Sequence, residues 1–345
     1  MKQSDSEKSV DSGKSETAGM GPEELLGMAR GFFSSRIILS AAELGLFDRL
    51  PATAEVVAED SGWDVEALRT ALDALAAIGV IEKDGKAGPY RIVPSLKRAL
   101  SRDPEVSVLP MIEHLDHLWN LWSDLGEIIR SGRKPKTKPS VLADPKRRRS
   151  FIGAMHAAGQ SMAEELADEL MTEPARKLLD VGGASGTYAA AFLARRPEMT
   201  ATLFDLPEVI PMAEERLERR GLRDRVTLVS GNYNRDPLPG GHDRVWLSAI
   251  VHQNSREENR ALYEKCFQAL EPGGKLWIRD HVMDDARVNP PAGAVFAVNM
   301  LVATSGGDTF TLAEFQEDLE SAGFVGVRVL RNGDRMDAVL EAVRP

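Results

Sequence analysis

Residues 178–209 read LLDVGGASGTYAAAFLARRPEMTATLFDLPEV, and they decide the fold class. Leu178, Leu179 and Val181 make the short apolar run of a buried parallel strand, Gly182, Gly183 and Gly186 break it, and Tyr188 to Arg196 resumes at helical spacing. A strand therefore runs into a helix N-terminus. Such turns often cradle a phosphate, because backbone N–H groups and the helix dipole face the ligand. Here the spacing argues otherwise. The dinucleotide fingerprint G-x-G-x-x-G is replaced by G-G-A-S-G-T, and Asp180 would set a carboxylate beside a pyrophosphate. Gly182 and Gly183 still permit close backbone approach, while Asp180 suits a ligand with positive charge, an ammonium or sulfonium group.

Working outward, TATLFDLP is a second apolar strand ending in Asp205, with Leu206 beside it, where a carboxylate can accept both hydroxyls of a ribose. A third strand, RVTLVSGNYN, ends in Asn232 and Tyr233, an amide for the edge of an adenine and a ring for its face. Cationic group, ribose and adenine are the parts of S-adenosylmethionine. From Lys177 onward strands alternate with helices, which predicts an α/β, Rossmann-like doubly wound parallel sheet, and the tail GFVGVRVLRNGDRMDAVLEAVR supplies two further strands.

The rest of the chain is read against this domain. At 345 residues two domains are expected, and 43% apolar residues can build real cores. A formal net charge of -10 and a pI near 5.3 disfavour nucleic acid and anionic membranes as partners. The single cysteine, Cys266, reads as core, no apolar run is long enough to span a membrane, and the polar start MKQSDSEKSVDSGKSETAG lacks the apolar stretch of a secretory signal. A cytoplasmic protein with a disordered tail, residues 1–19, is the expectation. Residues 20–105 have helical spacing ending in a hairpin, GVIEKDGKAGPYRIV, the pattern of a winged helix. Its functions would be DNA binding or dimerisation. Between Pro22 and Leu100 nine Lys or Arg face twelve Asp or Glu, and Val65–Ile78 carries Glu66 and Asp73 against Arg69, so dimerisation is favoured. Residues 106–170 read as a helical linker and substrate lid, with solvated basic loops at Arg133–Lys138 and Lys146–Arg149, and residues 171–345 as the cofactor domain.

LLDVGGASGT, FDLP, SGNYNRDPLP, IVHQNSREEN, LEPGGKLWIRDHV and GGDTFTLAEFQEDLESAGF follow one another in the order of class I S-adenosylmethionine-dependent methyltransferases. Over residues 20–345 the chain resembles small-molecule O-methyltransferases of the plant caffeate and bacterial secondary-metabolite type. The resemblance implies a homodimer paired through the winged-helix domain, an antiparallel final strand, and a general-base histidine opening an HDW triplet after the fourth strand. In this chain that triplet is His252-Gln253-Asn254, so substrate identity does not carry over. Two acids bracket the base in the family: Asp280 matches the first, and the second falls on Thr309, with Asp308 beside it as a deputy. Phe151, Met155, Gln253 and Met300 fall on acceptor-pocket positions, and Ser248 stands where plant relatives carry a lysine near the adenine.

Methyl transfer is an in-line displacement at a sulfonium carbon, so the protein must align the reactants, exclude water and deprotonate the acceptor. A phenol, with a pKa near 10, needs a base at neutral pH, and imidazole is well matched to that task. Of six histidines, His252 stands just past strand DRVWLSAIV, on the ligand-binding edge of such sheets. Read simply, it is a loop histidine. Asp280, ending KLWIRD, would orient it. His281 would point to the opposite face if the strand continued, His114 and His117 sit on the linker helix, and His156 lies in FIGAMHAAG. No metal-ligand constellation is present in the sequence, and no metal is expected. The expected function is O-methylation of a hydroxylated aromatic or polyketide-like molecule. The alternatives are C-methylation or a non-methylating reaction on the same fold, and a DNA-binding regulator.

Overall fold

In the computed structural model residues 19–132 and 144–345 are described. The tail and the basic run Arg133–Lys138 lie outside them. The N-terminal unit holds α1 (Pro22–Arg30), α2 (Phe32–Glu43), α3 (Ala54–Ser61), α4 (Val65–Ala77) and a hairpin of β1 (Ile81–Lys83) with β2 (Tyr90–Ile92). Its core gathers Leu46, Phe47, Leu68, Leu72, Leu75 and Tyr90. Asp64 caps α4 through the Ala67 N–H at 2.8 Å. Arg69, the cation of the helix that would face DNA, is paired with Glu55 and Glu66, so α4 offers no free positive charge to a phosphate.

Next come α5 (Leu109–Trp122), α6 (Leu125–Ser131) and the long α7 (Pro145–Leu170). Here one expectation is corrected. The run 146–149 is not a loop but the first turn of α7, because Asp144 accepts the Arg147 N–H at 2.8 Å and Pro145 occupies the first helical turn, where its missing N–H costs nothing.

The C-terminal part contains β3 (Lys177–Val181), α8 (Thr187–Arg195), β4 (Thr200–Asp205), α9 (Ile210–Arg219), β5 (Val226–Ser230), β6 (His242–Ser248), α10 (Arg256–Ala269) and β7 (Leu270–Asp280). They are followed by β8 (Val282–Met283), α11 (Pro291–Ala303), β9 (Phe310–Thr311), α12 (Leu312–Ser321), β10 (Val325–Arg331) and β11 (Ala338–Val343). The seven-stranded sheet has the order β10-β11-β7-β6-β3-β4-β5, and β11 runs antiparallel to both neighbours. β3 pairs with β4 on one side and β6 on the other, so the strand order reverses there and opens the crevice in which ligands of such sheets bind. Phe192, Trp246 and Trp277 pack on one face beneath α7 and α8, and Tyr263, Cys266 and Phe315 fill the other beneath α10 and α12. Among the described residues no helix is long and apolar enough to cross a membrane.

The segment leading into α5 is held to α9 by charge. Glu105 meets Arg216 at 3.1 Å, Arg220 at 3.3 Å and Arg219 at 3.7 Å, all from the C-terminal end of α9. Arg216 is buried, and Glu105 is one of the few groups that can compensate it. Glu105→Ala should therefore lower stability by about 2 to 3 kcal/mol, somewhat less than for a wholly buried pair since Glu105 keeps partial solvent contact. Denaturant unfolding checks this, and a loss under ~0.5 kcal/mol would mean that water already screens Arg216.

Candidate active site

The glycine turn is built by exclusion. Gly182 has φ +68°, and a Cβ there would stand 2.5 Å from Ile250 Cδ1. A Cβ on Gly183 would stand 2.8 Å from the Asp180 carboxyl carbon and from Leu203. Both positions therefore require glycine, and the Asp180 carboxylate lies directly under the turn. Its Oδ2 is buried without a hydrogen bond. Burial pushes the Asp180 carboxyl up to about 7, and the Asp205 carboxylate adds to the push.

Asp205 ends β4 as expected. Oδ2 accepts the Ala184 N–H at 2.8 Å and Oδ1 the Leu206 N–H at 2.7 Å, which leaves one lone pair on each oxygen for a ribose hydroxyl. Burial raises this carboxyl to about 6, against the pull of those two N–H groups. Tyr233 is half-buried, its ring 3.9 Å from the point where a Gly182 Cβ would lie. The Asn232 Oδ1 takes the Asn234 N–H at 2.9 Å in a local turn, which leaves its NH₂ and one Oδ1 lone pair to address an adenine edge. The donor set fits S-adenosylmethionine: an orphan carboxylate oxygen for positive charge, two free lone pairs for ribose hydroxyls, and a turn that a side chain would fill.

These shifts predict a pH dependence. Both carboxyls are raised in the free protein, and a cation favours their ionised forms, so binding expels protons near pH 6 to 7. Affinity for S-adenosylmethionine should fall as pH drops below about 7, by at most roughly tenfold per unit for each group, and level off above about 8. Calorimetry in buffers of different ionisation enthalpy reads the released proton directly. A pH-independent affinity with no proton release would rule out the charge pairing.

His252 lies in a short 3-10 turn, Val251–Gln253, shortly after the end of β6. Its Nδ1 is 2.9 and 3.0 Å from the two oxygens of Asp280, and both residues are buried. Burial would raise the Asp280 carboxyl, but the charge and hydrogen bond of His252 and the His281 N–H overcome it and hold the group below its usual value. With Nδ1 engaged, Nε2 is the nitrogen left to receive a proton. The turn is braced from behind. Asn254 Nδ2 donates to Asn259 Oδ1 at 3.0 Å, Asn259 Nδ2 donates to the Val251 carbonyl at 2.9 Å, and a Ser255–Glu258 capping box starts α10.

Three expectations are corrected. The Asp308 carboxylate does not reach the imidazole: its N–H donates to the His252 carbonyl at 3.0 Å, while the side chain pairs with Arg287 at 3.3 Å. Thr309 is buried, so Asp280 is the acid found on His252 among the described residues. Gln253 is exposed and folds back onto the Ala249 carbonyl at 2.9 Å rather than lining a cleft. His281 does not leave for the other face, because β7 stops at Asp280 and alternation stops with it. Its ring lies 5.1 Å from Phe296, whose other neighbour is His252 at 4.9 Å, edge to face.

The residues expected at the acceptor pocket lie on separate helices. Phe151 and Met155 stand one turn apart on α7, half-buried, with Phe151 edge-on to His114 of α5. Met300 is buried one turn after Phe296 on α11, and the Trp122 indole donates to Asn299 at 3.0 Å, tying α5 to α11. Phe296 and Asn259 escaped the sequence reading, and Asn254, read as a replaced cleft residue, is instead the brace behind His252. The apolar spacing around Phe296 looks like core packing, and asparagines carry no periodic signal. Ser248 Oγ accepts from Arg279 Nη1 at 2.7 Å. His156 is buried with Nδ1 2.9 Å from Thr187 Oγ1, and burial, aided by Arg216, Arg220 and Arg219, lowers it to about 3, so the ring is neutral.

Comparison with known proteins agrees with this architecture. The family model for the O-methyltransferase domain matches residues 122–325. The tetracenomycin polyketide synthesis 8-O-methyl transferase TcmO of Streptomyces glaucescens is 33% identical over 316 residues, 89% of this chain and 93% of that protein. The 3-hydroxy-5-methyl-1-naphthoate 3-O-methyltransferase of Streptomyces sahachiroi is 29% identical, covering 90% of this chain and 91% of its own. The structure of the mitomycin 7-O-methyltransferase MmcR superposes with a TM-score of 0.82 at 27% identity, over 94% of this chain and 97% of that one. The chain belongs to the O-methyltransferase domain family and is an S-adenosylmethionine-dependent methyltransferase.

Proposed function

We propose that the enzyme methylates a phenolic hydroxyl of a polyketide-like or other aromatic small molecule, with His252 as the general base. The observation that carries this is the buried His252–Asp280 pair on the carboxyl edge of β6 and β7, beside the glycine turn. S-adenosylmethionine, when bound, supplies a methyl group on a positively charged sulfur. Asp180, Gly182, Gly183, Asp205, Leu206, Asn232 and Tyr233 would hold it. Asp280 keeps Nδ1 of His252 protonated and stabilises the imidazolium formed when Nε2 takes the acceptor proton. Phe296 shields that ring from water on one side, and Phe151, Met155 and Met300 supply apolar contact for an aromatic acceptor. The relatives named for polyketide and naphthoate acceptors support this substrate class.

The test is incubation with methyl-labelled cofactor and a metabolite extract, followed by mass spectrometry and acid or dealkylating cleavage of the product. Label on a cleavable ether supports the proposal. Label on carbon, which the loss of the second acid at Thr309 would favour, or no transfer at all, counts against it.

The proposal includes a homodimer. None of the nine residues of α1 is buried, and Leu25, Leu26, Met28, Phe32 and Phe33 are each at least half exposed on α1 and α2. So short a helix with so much bare apolar surface needs a partner, and a second copy presents the same patch. Light scattering at micromolar concentration should give twice 37.7 kDa, and Phe32→Glu with Phe33→Glu should give the monomer. A wild-type monomer would refute the pairing. The division proposed for the chain is a tail to residue 19, a dimerisation unit to 105, a lid to 170 and the catalytic unit beyond. A cytoplasmic setting is part of the proposal, on the single buried and reduced Cys266.

A further inference from the structure

An open cleft of about 580 Å³ lies between α7, β8 and the loop that joins β10 to β11. None of the residues assigned to the cofactor lines it, and its volume is in the range of small-molecule sites. Met162, Val282 and Ala338 give it apolar surface, and Asn332, Asp334, Arg335 and Asp337 give it polar atoms. Its walls are fixed. Arg331, ending β10, bonds Glu165 at 2.8 Å and Glu169 at 2.6 Å, one and two turns beyond Met162, so the hairpin is bolted to α7. The loop itself is shaped around Asp337. Its Oδ1 accepts the Arg335 N–H at 2.9 Å, and a Cβ on Gly333 would overlap that same oxygen, so only glycine lets the loop fold over the carboxylate. Asn332 and Asp334, on either side of this glycine, are left exposed.

The cleft adjoins the base. Ala338 pairs in the sheet with Asp280, the acid on His252, and Val282 follows Asp280 by two residues. On α7, Met162 stands seven residues after Met155, so the two methionines share a helix face about 10 Å apart along the axis. An acceptor resting on Phe151 and Met155 with its hydroxyl at His252 can therefore extend along α7 into this space. The lining selects what enters. Asp334 and Asp337 repel an anion, and Arg335 opposes a cation. Carboxylates and an amide oxygen accept hydrogen bonds while an amide and a guanidinium donate them, which suits a neutral group that does both. The aliphatic surface suits the C–H face of such a group. We propose that the cleft is a second acceptor subsite, which takes a sugar-like, polyhydroxylated substituent on the part of the aromatic acceptor remote from the methylated oxygen. This deepens the acceptor reading and rests on it.

The test starts from the incubation with methyl-labelled cofactor and metabolite extract, each labelled product being fragmented by tandem mass spectrometry. The expected product loses a sugar mass and keeps the label on the aromatic remainder. The unmethylated glycoside is then isolated, and part of it is hydrolysed to the aglycone. Wild type should show a KM roughly tenfold lower for the glycoside, the effect of a hydrogen bond to a charged group. Asn332→Ala combined with Asp334→Ala should raise that KM to the aglycone's. Turnover at saturation and calorimetric affinity for S-adenosylmethionine should not move, because neither residue lies at the base or the glycine turn. A labelled methyl ether without a sugar, equal KM values for glycoside and aglycone, or an unchanged KM in the double variant overturns the subsite and leaves the acceptor reading standing. A double variant that weakens glycoside and aglycone alike overturns it too, since the loss then comes from a loosened hairpin. No labelled product at all would instead refute the acceptor reading, and the subsite with it.

Discussion

His252→Ala is expected to lower turnover of a phenolic acceptor by roughly 10²- to 10⁴-fold at neutral pH, the usual contribution of a positioned base. Affinity for S-adenosylmethionine should stay nearly constant, because His252 bonds to Asp280 and packs on Phe296 rather than on the glycine turn. Raising the pH toward the acceptor's own pKa should rescue much of the loss, since a phenolate needs no base. Asp280→Asn should behave as a weaker copy. The amide can hold the ring only in the wrong tautomer or with a poorer hydrogen bond, and it cannot offset imidazolium charge. Full turnover by His252→Ala on an identified acceptor would show that alignment alone drives the transfer. A collapse of cofactor affinity would mean that the turn after β6 belongs to the cofactor side.

Asp205→Ala should weaken S-adenosylmethionine binding by about 2 to 4 kcal/mol, because a charged acceptor for two ribose hydroxyls is removed. The loss should appear equally for a neutral adenosyl thioether, since the ribose is common to both ligands. That separates Asp205 from Asp180, whose replacement should act on ligands with positive charge. Removing Asp205 also strands the N–H groups of Ala184 and Leu206, so a melting curve must accompany the titration. Asp205→Asn, which keeps an acceptor for one of them, is the better-folded comparison. Unchanged affinity in both variants would remove Asp205 from the ribose site.

How far each conclusion was legible in the sequence depends on the range of the interaction behind it. The glycine turn after β3, the acid ending β4 and the capping signal Ser255–Glu258 are local: steric demands at φ > 0 and orphan N–H groups at a helix start act within a few residues. They could be read from a string. The alternation of strands and helices likewise implied the doubly wound sheet, since each apolar face must find a cover. Resemblance then pointed to His252 and Asp280 as partners, 28 positions apart.

Other features depended on the tertiary structure. Asp308 meets the His252 carbonyl through its backbone N–H, while its carboxylate takes the Thr309 N–H and pairs with Arg287. Where β7 ends decided the direction of His281, because alternation holds only while the strand continues. Asn254, read as a replaced cleft residue, is a brace through Asn259. Arg279 looked like an ordinary strand residue until the register set it beside Ser248 and over Tyr188 with no acid in reach. The sequence by itself determined the class of sheet, because short-range sterics and hydrophobic period encode it, and it nominated the cofactor-side residues from local strand ends and the candidate base from resemblance. The tertiary structure alone decided which charges meet and which are left unpaired, because Coulomb energy and desolvation depend on distance and burial between segments that the chain order does not relate.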